Sequence, residues 1–508
     1  MNPHLMHPDQ AFDWHEPPAW NEREVVADLA LETLLEAMAR GDKFVREVAL
    51  KALLGGFGND PEAVSYRQAV ARDAFDNPEV LRELYLLAVE ALESRRKRSF
   101  LGFSSRFPAS LLYSAVDIMQ GFVEMLRRLR ELASAHRDRF ASEGFRGLFS
   151  MLERELGDEY LARIEAHLAD LRFRHGVLIS AGLGAGNAGR DYVLRQPHED
   201  DRGLLGRLFG KRLPAYRFHL PERDEAGARA LSALRDRGIH LVANALAQSV
   251  DHIDGFFRLL RAELAFYVGC SNLRESLAAL GAPTCFPRAL AVGTRRLRCR
   301  GLYDPCLALQ MRRAVVGNAV EADGRSAVIV TGANQGGKSS FLRSTGLAQL
   351  MMQCGMFVAA ESYEGELCAG LVTHFKREED VELERGKLDE ELARLSAIVD
   401  HLTPDTTVLL NESFAATNER EGSEIARQVV SALLEGGVKV FFVTHLHAFA
   451  RAFFEHAGDG ALFLRAERKP DGPRTFRVEE GEPLATSHGR DLYDRIFSAS
   501  PDRSFPST

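Results

Sequence analysis

Hydrophobic and polar positions divide the chain into two textures. From Glu24 to about Glu93 apolar residues recur three and four apart, as in Val25-Val26-Ala27-Asp28-Leu29-Ala30-Leu31 and Leu81 to Leu92, the period of helices with one buried face. Tyr66-Arg67-Gln68-Ala69-Val70-Ala71-Arg72-Asp73 falls within this stretch, and its charges read as a solvated helix face. Arg95-Arg96-Lys97-Arg98 follows at a helix end, where cations cap the dipole; phosphate contact is the alternative. A long helix is predicted from Ala109 through Ala133, with Leu111, Leu112, Ala115, Ile118, Met119, Phe122 and Leu126 on one stripe, and another from about Gly147 to Arg172. Between Gly176 and Pro221 short β-prone runs (Val177-Leu178-Ile179-Ser180, Tyr192-Val193-Leu194, Tyr216-Arg217-Phe218-His219-Leu220) alternate with glycines, which reads as a strand-and-loop insertion, about residues 176–221. Helical periodicity resumes from Glu225 to Leu280, and Pro283, Pro287 and the basic run Arg295 to Arg300 mark a boundary.

Beyond that boundary the apolar runs become continuous, and each ends in polar residues. Ser326-Ala327-Val328-Ile329-Val330-Thr331 leads into Gly332-Ala333-Asn334-Gln335-Gly336-Gly337-Lys338-Ser339-Ser340, and a helical run follows from about Phe341 to Gln353. Gly332 to Ser339 fits G-x-x-x-x-G-K-S/T. In that pattern glycines let backbone N–H groups close around phosphates, the lysine (Lys338) reaches the terminal phosphates, and the serine (Ser339) hydroxyl can ligate Mg²⁺. The helix start points its positive dipole end at the same anion. A second strand, Thr406-Thr407-Val408-Leu409-Leu410, ends at Asn411-Glu412, with Glu412 placed to orient and deprotonate water and Asn411 to accept from a metal-bound water without adding charge. A third, Lys439-Val440-Phe441-Phe442-Val443-Thr444, ends at His445, on the face where a histidine can meet a terminal phosphate. The pattern Gly184-Ala185-Gly186-Asn187-Ala188-Gly189 also satisfies G-x-G-x-x-G. Arg190 onward reads as a strand where a dinucleotide site needs a helix, so a plain turn is the reading there.

Composition narrows the class. At 508 residues the chain needs two to four domains, and 45% hydrophobic with 27% charged residues describes a globular protein. A net charge of -8 argues against a polybasic binder but leaves room for a local basic groove. Residues 1–23 read as a loose arm rather than a secretory signal, and no apolar run is long enough to span a bilayer. Six cysteines without C-x-x-C spacing point to free thiols and a cytoplasmic location rather than zinc.

Thr331 through Ser340 resembles the T-G-P-N-M-G-G-K-S-T of the MutS mismatch-repair ATPases, a branch of the ABC-type P-loop proteins, and Asn334 matches that motif's asparagine. Glu412 through Gly422 is similar to that family's E-I-G-R-G-T-S-T-x-D-G, with Thr417 and Gly422 matching, and Phe442-Val443-Thr444-His445 to its F-A-T-H. Cys354 to Ser362, Asn318 on the nucleotide side, and Ser487-His488-Gly489 extend the likeness over roughly Arg288 to Phe497; the Arg67-Gln68 helix and Leu264 to Leu280 resemble the helical core more loosely. The resemblance implies an α/β P-loop (ABC-type) ATPase domain over residues 285–508, preceded by a mainly α-helical core/lever domain over 24–284. It implies ATP and Mg²⁺ as ligands, DNA as a partner and a homodimer paired head to tail; whether a MutL-like partner binds is not written in the residues. Departures accompany the likeness. No F-x-E wedge precedes Glu24, so mismatch reading of that kind is not expected. Asn411 stands where the family has aspartate. Depending on register, Gly386 or Lys387 takes the place of the serine in the loop that completes a partner's ATP site. Val315 or Val316 stands near where an aromatic stacks on adenine.

Two functional expectations follow: an ATPase whose nucleotide cycle is coupled to DNA held by the helical arms, or a nucleotide-gated dimeric scaffold with weak or no hydrolysis. A small-molecule kinase would leave the helical half without a role.

Overall fold

The computed structural model describes residues 1–99, 107–174, 176–196, 216–333, 335–377, 386–456, 458–468 and 474–483. In chain order the elements are α1 (Glu22–Asp28), α2 (Leu31–Ala39), α3 (Lys43–Leu54), α4 (Pro61–Asp76), α5 (Pro78–Ser99), α6 (Pro108–His136), α7 (Glu143–Glu155), α8 (Asp158–Asp170), β1 (Leu178–Leu183), β2 (Gly189–Arg195) and α9 (Glu225–Ala279). There follow β3 (Arg288–Leu290), β4 (Leu297–Leu302), α10 (Pro305–Met311), β5 (Asn318–Glu321), β6 (Ala327–Thr331), α11 (Lys338–Gln353), β7 (Ser362–Glu366) and β8 (Gly370–Phe375). The last are α12 (Lys387–Val399), β9 (Thr406–Asn411), α13 (Glu419–Glu435), β10 (Lys439–Val443), α14 (His447–His456), β11 (Ala461–Arg468) and β12 (Arg474–Glu480). Two compact units emerge: one of Met1–Pro3, Arg82–Asp138 and Arg146–Arg261, the other of His4–Leu81, Arg139–Phe145 and Ala262–Thr508.

The first unit is helical. The predicted α6 stripe is largely buried (Leu112, Ala115, Ile118, Met119, Phe122, Leu126), and the Phe122 ring meets Phe257 at 5.6 Å. Arg95 bonds Asp251 at 2.9 Å and also pairs with Asp254, while Arg98 donates to the Asp117 carbonyl, so these two members of the basic run at the α5 end hold helices together. The single helix expected from about Gly147 to Arg172 is two, α7 and α8. The break falls at Gly157, whose extended ψ of 151° starts α8 afresh. Gly184 to Gly189 joins β1 to antiparallel β2, so the turn reading holds.

The second unit carries a six-stranded sheet in the order β12-β11-β6-β10-β9-β8, parallel except for β12, and a four-stranded sheet β3-β7-β4-β5. Strands buried on both faces read as unbroken apolar runs, which is why β6, β9 and β10 were visible in the sequence. One face packs Ile329, Val408, Leu410, Val440 and Phe442 against Ala426, Val430 and Leu433 of α13 and Phe449 of α14. The long α11 is buried along nearly its whole length.

Two expectations fail in this unit. The opening residues are not a loose arm throughout, since Leu5 and Met6 are 0% exposed. Leu5 N–H donates to Glu263 Oε2 at 2.6 Å, and the hydroxyls of Tyr267 and Tyr66 donate to the carbonyls of Leu5 and His4. Nor is Tyr66 to Asp73 a solvated face: Arg67, Gln68 and Asp73 are buried. Arg67 donates to the Met6 and Cys354 carbonyls at 2.7 and 3.3 Å, and the Asp73 carboxylate accepts the Ala141 and Ser142 N–H groups. Charges at helical spacing cannot reveal a main-chain segment sixty residues away that needs donors.

Candidate nucleotide site

The segments that follow β6 and β9 line one cleft of about 710 Å³, at the carboxyl-end side of a parallel sheet where ligands bind, and β10 lies between those two strands. After Thr331 the chain turns through Gly332, at φ 115°, and enters α11 through Gly337, at φ 93°. Neither position tolerates a side chain, since a Cβ would stand 2.9 Å from Ala466 N at the first and 2.8 Å from the Phe476 oxygen at the second. The hairpin β11–β12 thus packs directly behind the loop, an arrangement the local motif does not disclose.

Lys338 is buried, and its Nζ donates to the carbonyls of Gly332 and Ala333 at 3.0 and 2.9 Å, so the ammonium is held across its own loop. Burial lowers its pKa to about 8, partly opposed by the Glu412 charge. Ser339 Oγ donates to Asn411 Oδ1 at 3.1 Å, joining the first helical turn to the end of β9. These are two neutral oxygens of the kind a hard divalent cation takes, and they leave further positions for phosphate oxygens and water. Among the described residues no group of three or more His, Cys, Asp or Glu could hold a metal by itself.

Glu412, one residue past β9, sits at φ 55°, a strained conformation for glutamate, and its N–H donates to the Val443 carbonyl at 2.8 Å. His445 Nε2 lies 3.0 Å from Glu412 Oε1. That hydrogen bond, set against burial, holds the Glu412 carboxyl below its ordinary pKa, with the charges of His445 and Lys338 helping. The carboxylate therefore persists at neutral pH. His445, expected to face a phosphate, is engaged with Glu412 and is not among the residues lining the cleft.

The other candidates divide. Gly336, Gly337, Ser340 and Asn318 line the cleft with Lys338, Ser339 and Glu412. The Asn318 side-chain oxygen accepts the Val478 N–H at 2.8 Å, tying β5 to β12. Gly386 and Lys387 stand at the start of α12 and line no part of the cleft. Asn334 and Ser487-His488-Gly489 lie outside the described residues. Val315 and Val316 do line the cleft, together with Tyr303, Asp304, Leu307, Met311 and Phe476. Buried Asp304 caps α10 through the Leu307 N–H at 3.0 Å and pairs with Arg343 of α11. Asp304 followed by Pro305 is a helix-start signal that could have been read; Phe476 has no comparable local signal.

Comparison with known proteins completes the picture. Residues 59–280 match the MutS2 N-terminal domain, and residues 328–480 match MutS domain V. The chain belongs to the MutS-related mismatch-repair family. A DNA mismatch repair protein MutS from Chloroflexus aurantiacus is 31% identical over 158 residues, 30% of this chain and 16% of that protein. The DNA mismatch repair protein MSH3 of Coccidioides immitis is 28% identical over 288 residues, 53% of this chain and 24% of that protein. The MutS protein homolog 4 of Mus musculus is 28% identical over 159 residues, 31% of this chain and 16% of that protein. The matched segments thus span between a sixth and a quarter of these MutS relatives. Among the described residues no helix is long and apolar enough to cross a membrane, and all six cysteines are free thiols.

Proposed function

We propose that the cleft is an ABC-type P-loop ATP site and that the protein couples ATP binding and hydrolysis to DNA, in mismatch repair or recombination. The observation that carries this reading is the convergence of Lys338, the Ser339–Asn411 pair and the Glu412–His445 pair at the carboxyl ends of three adjacent parallel strands. Lys338 would leave the Gly332 and Ala333 carbonyls for the terminal phosphates. Ser339 and Asn411 would hold Mg²⁺, which when bound neutralises charge on the transferring phosphoryl group. Glu412, kept ionised by His445, would orient the attacking water and take its proton, and His445 would keep that carboxylate aimed. Asn411 brings no charge to the metal, so slow hydrolysis is expected.

A second copy would present Gly386 and Lys387 at α12 to the site in trans, which accounts for their standing outside the cleft of their own chain. DNA contacts would come from the helical unit, where Arg190, Arg195, Arg217 and Arg223 are exposed, interleaved with Asp191, Glu222 and Asp224. Binding through phosphates should weaken steeply with salt.

The decisive experiment is ATP turnover with and without duplex, mismatched and branched DNA, beside Glu412→Ala. DNA should change the rate, and Glu412→Ala should retain ATP while losing turnover by about 10²-fold or more, the usual contribution of a positioned base. If ATP pairs subunits but turnover on every DNA stays at the Glu412→Ala level, the protein is a nucleotide-gated scaffold instead.

A further inference from the structure

We propose that Glu391 is the positioning residue of Glu412, holding through the Phe414 N–H the turn on which that carboxylate is mounted, an inference that rests on Glu412 being the base of an ATP site. Glu412, Ser413 and Phe414 leave β9 in a turn with two left-handed residues, Glu412 at φ 55° and Phe414 at φ 66°. Side chains resist that conformation, a bulky ring most of all, so it persists only where neighbours impose it. Three neighbours do. From α12, Glu391 Oε1 accepts the Phe414 N–H at 2.7 Å. Near the end of β8, His374 Nδ1 lies 2.7 Å from Ser413 Oγ, and that oxygen lies 2.9 Å from the His374 carbonyl oxygen. The third is α13, where a Cβ on Gly422 would collide with the Phe414 carbonyl, so the helix closes directly on the turn. Glu391, His374, Ser413 and Phe414 are all buried, so water stands in for none of these partners.

Glu391 differs from the others in kind. Burial pushes its carboxyl above the ordinary pKa, opposed first by the Phe414 N–H and then by the charges of Arg394 and Lys376. It lines no part of the cleft, so it has no contact of its own to offer a nucleotide there. Its carboxylate instead takes a main-chain N–H two residues from Glu412, and an ionised acceptor makes the stronger kind of hydrogen bond. Loss of that acceptor frees the turn to relax towards ordinary backbone angles and moves the Glu412 carboxylate with it. A misplacement of about 1 Å at a reacting group can cost about a hundredfold in rate.

The test measures kcat and the Kd for ATP on the full chain, in Glu391→Gln and Glu391→Met and with each combined with Glu412→Ala. Gln keeps an oxygen to accept the Phe414 N–H, whereas Met has similar length and none. Glu391→Met should lower kcat about tenfold or more and leave the Kd within about twofold. Glu391→Gln should keep kcat within about threefold of wild type. On the Glu412→Ala background Glu391→Met should remove no further activity, because a positioning residue has nothing to act on once the base is gone. Thermal melts give the folded fraction to which each kcat is referred. Glu391→Asp, which keeps the charge and shortens the reach, should lower kcat at unchanged Kd and serves where Glu391→Met folds poorly. Wild-type kcat in Glu391→Met and Glu391→Asp, an equal loss in Glu391→Gln and Glu391→Met, a parallel loss of ATP affinity, or a further drop on the Glu412→Ala background would overturn the assignment. Failure of the underlying reading looks different: wild-type turnover that Glu412→Ala leaves intact, or no turnover at all, rejects Glu412 as the base and the positioning with it.

Discussion

Two clusters of buried and half-buried ionisable groups lie in the same unit and spend their polarity in opposite ways. Around α4, Arg67 gives its donors to the Met6 and Cys354 carbonyls and to His7, while Glu263, 0% exposed, accepts the Leu5 N–H. Burial drives the ordinary form of each group away from charge: the Glu263 pKa rises to about 7 and that of His7 falls to about 4. At the cleft, Lys338 rests on carbonyls of a loop only five and six residues away, and Glu412 pairs with a histidine on the next strand. The first cluster ties main chain to main chain through partners that are parts of the fold itself, although His7 and Arg67 also line a smaller cavity of about 480 Å³. The second spans short local contacts beside a cleft of about 710 Å³, contacts that a better anion could replace. A buried charge is thus informative about function only when its present partners are exchangeable.

The strongest way to break this contrast is at Arg67. Arg67→Ala leaves the Met6 and Cys354 carbonyls without their donor and Glu263 without the nearby positive charge, and should cost about 4 kcal/mol of stability by denaturant unfolding. ATP affinity per folded molecule should be unchanged. A variant that stays stable but loses nucleotide would show that the α4 cluster belongs to the site.

Lys338→Ala should do the reverse. Removing a buried ammonium leaves stability unchanged or raised. Losing the phosphate contact should weaken ATP by about 3 kcal/mol, roughly a hundredfold in Kd by titration. Equal effects on folding and binding would erase the distinction between the two clusters.

The same contrast explains what the sequence disclosed. Strands β6, β9 and β10 were legible because each is an apolar run whose first polar residues mark a carboxyl end, so Lys338, Asn411, Glu412 and His445 could be placed on one face before any coordinates. The α4 cluster was not, because Arg67 and Asp73 have the spacing of a solvated face and are buried by partners remote in sequence. Phe476 was hidden for a topological reason. The order β12-β11-β6 brings a hairpin more than 130 residues downstream against the phosphate loop, and nothing near Phe476 advertises that neighbour. Val315 and Val316 were located at the cleft, but the wall opposite them depends on strand order rather than on local pattern.

The smallest expected effect is one of pH, and it separates the clusters without a mutation. Burial lowers the free Lys338 pKa to about 8, while binding to phosphate requires the ammonium. Below pH 8 the lysine already carries its proton, and ATP affinity should be flat. Above pH 8 each binding event must draw a proton from solution, so affinity should fall by up to about tenfold per pH unit, about 1.4 kcal/mol. Glu412 is the charge that holds this pKa up, so Glu412→Gln should move the onset of the fall to lower pH. Titrations from pH 7 to 9.5 in wild type and Glu412→Gln measure both. The α4 groups, shifted to about 7 and about 4, cannot produce a transition above pH 8. An affinity that stays flat through pH 9 would mean that Lys338 is not the group that receives the phosphates, and would return it to the status Arg67 has, a buried cation that serves only the fold.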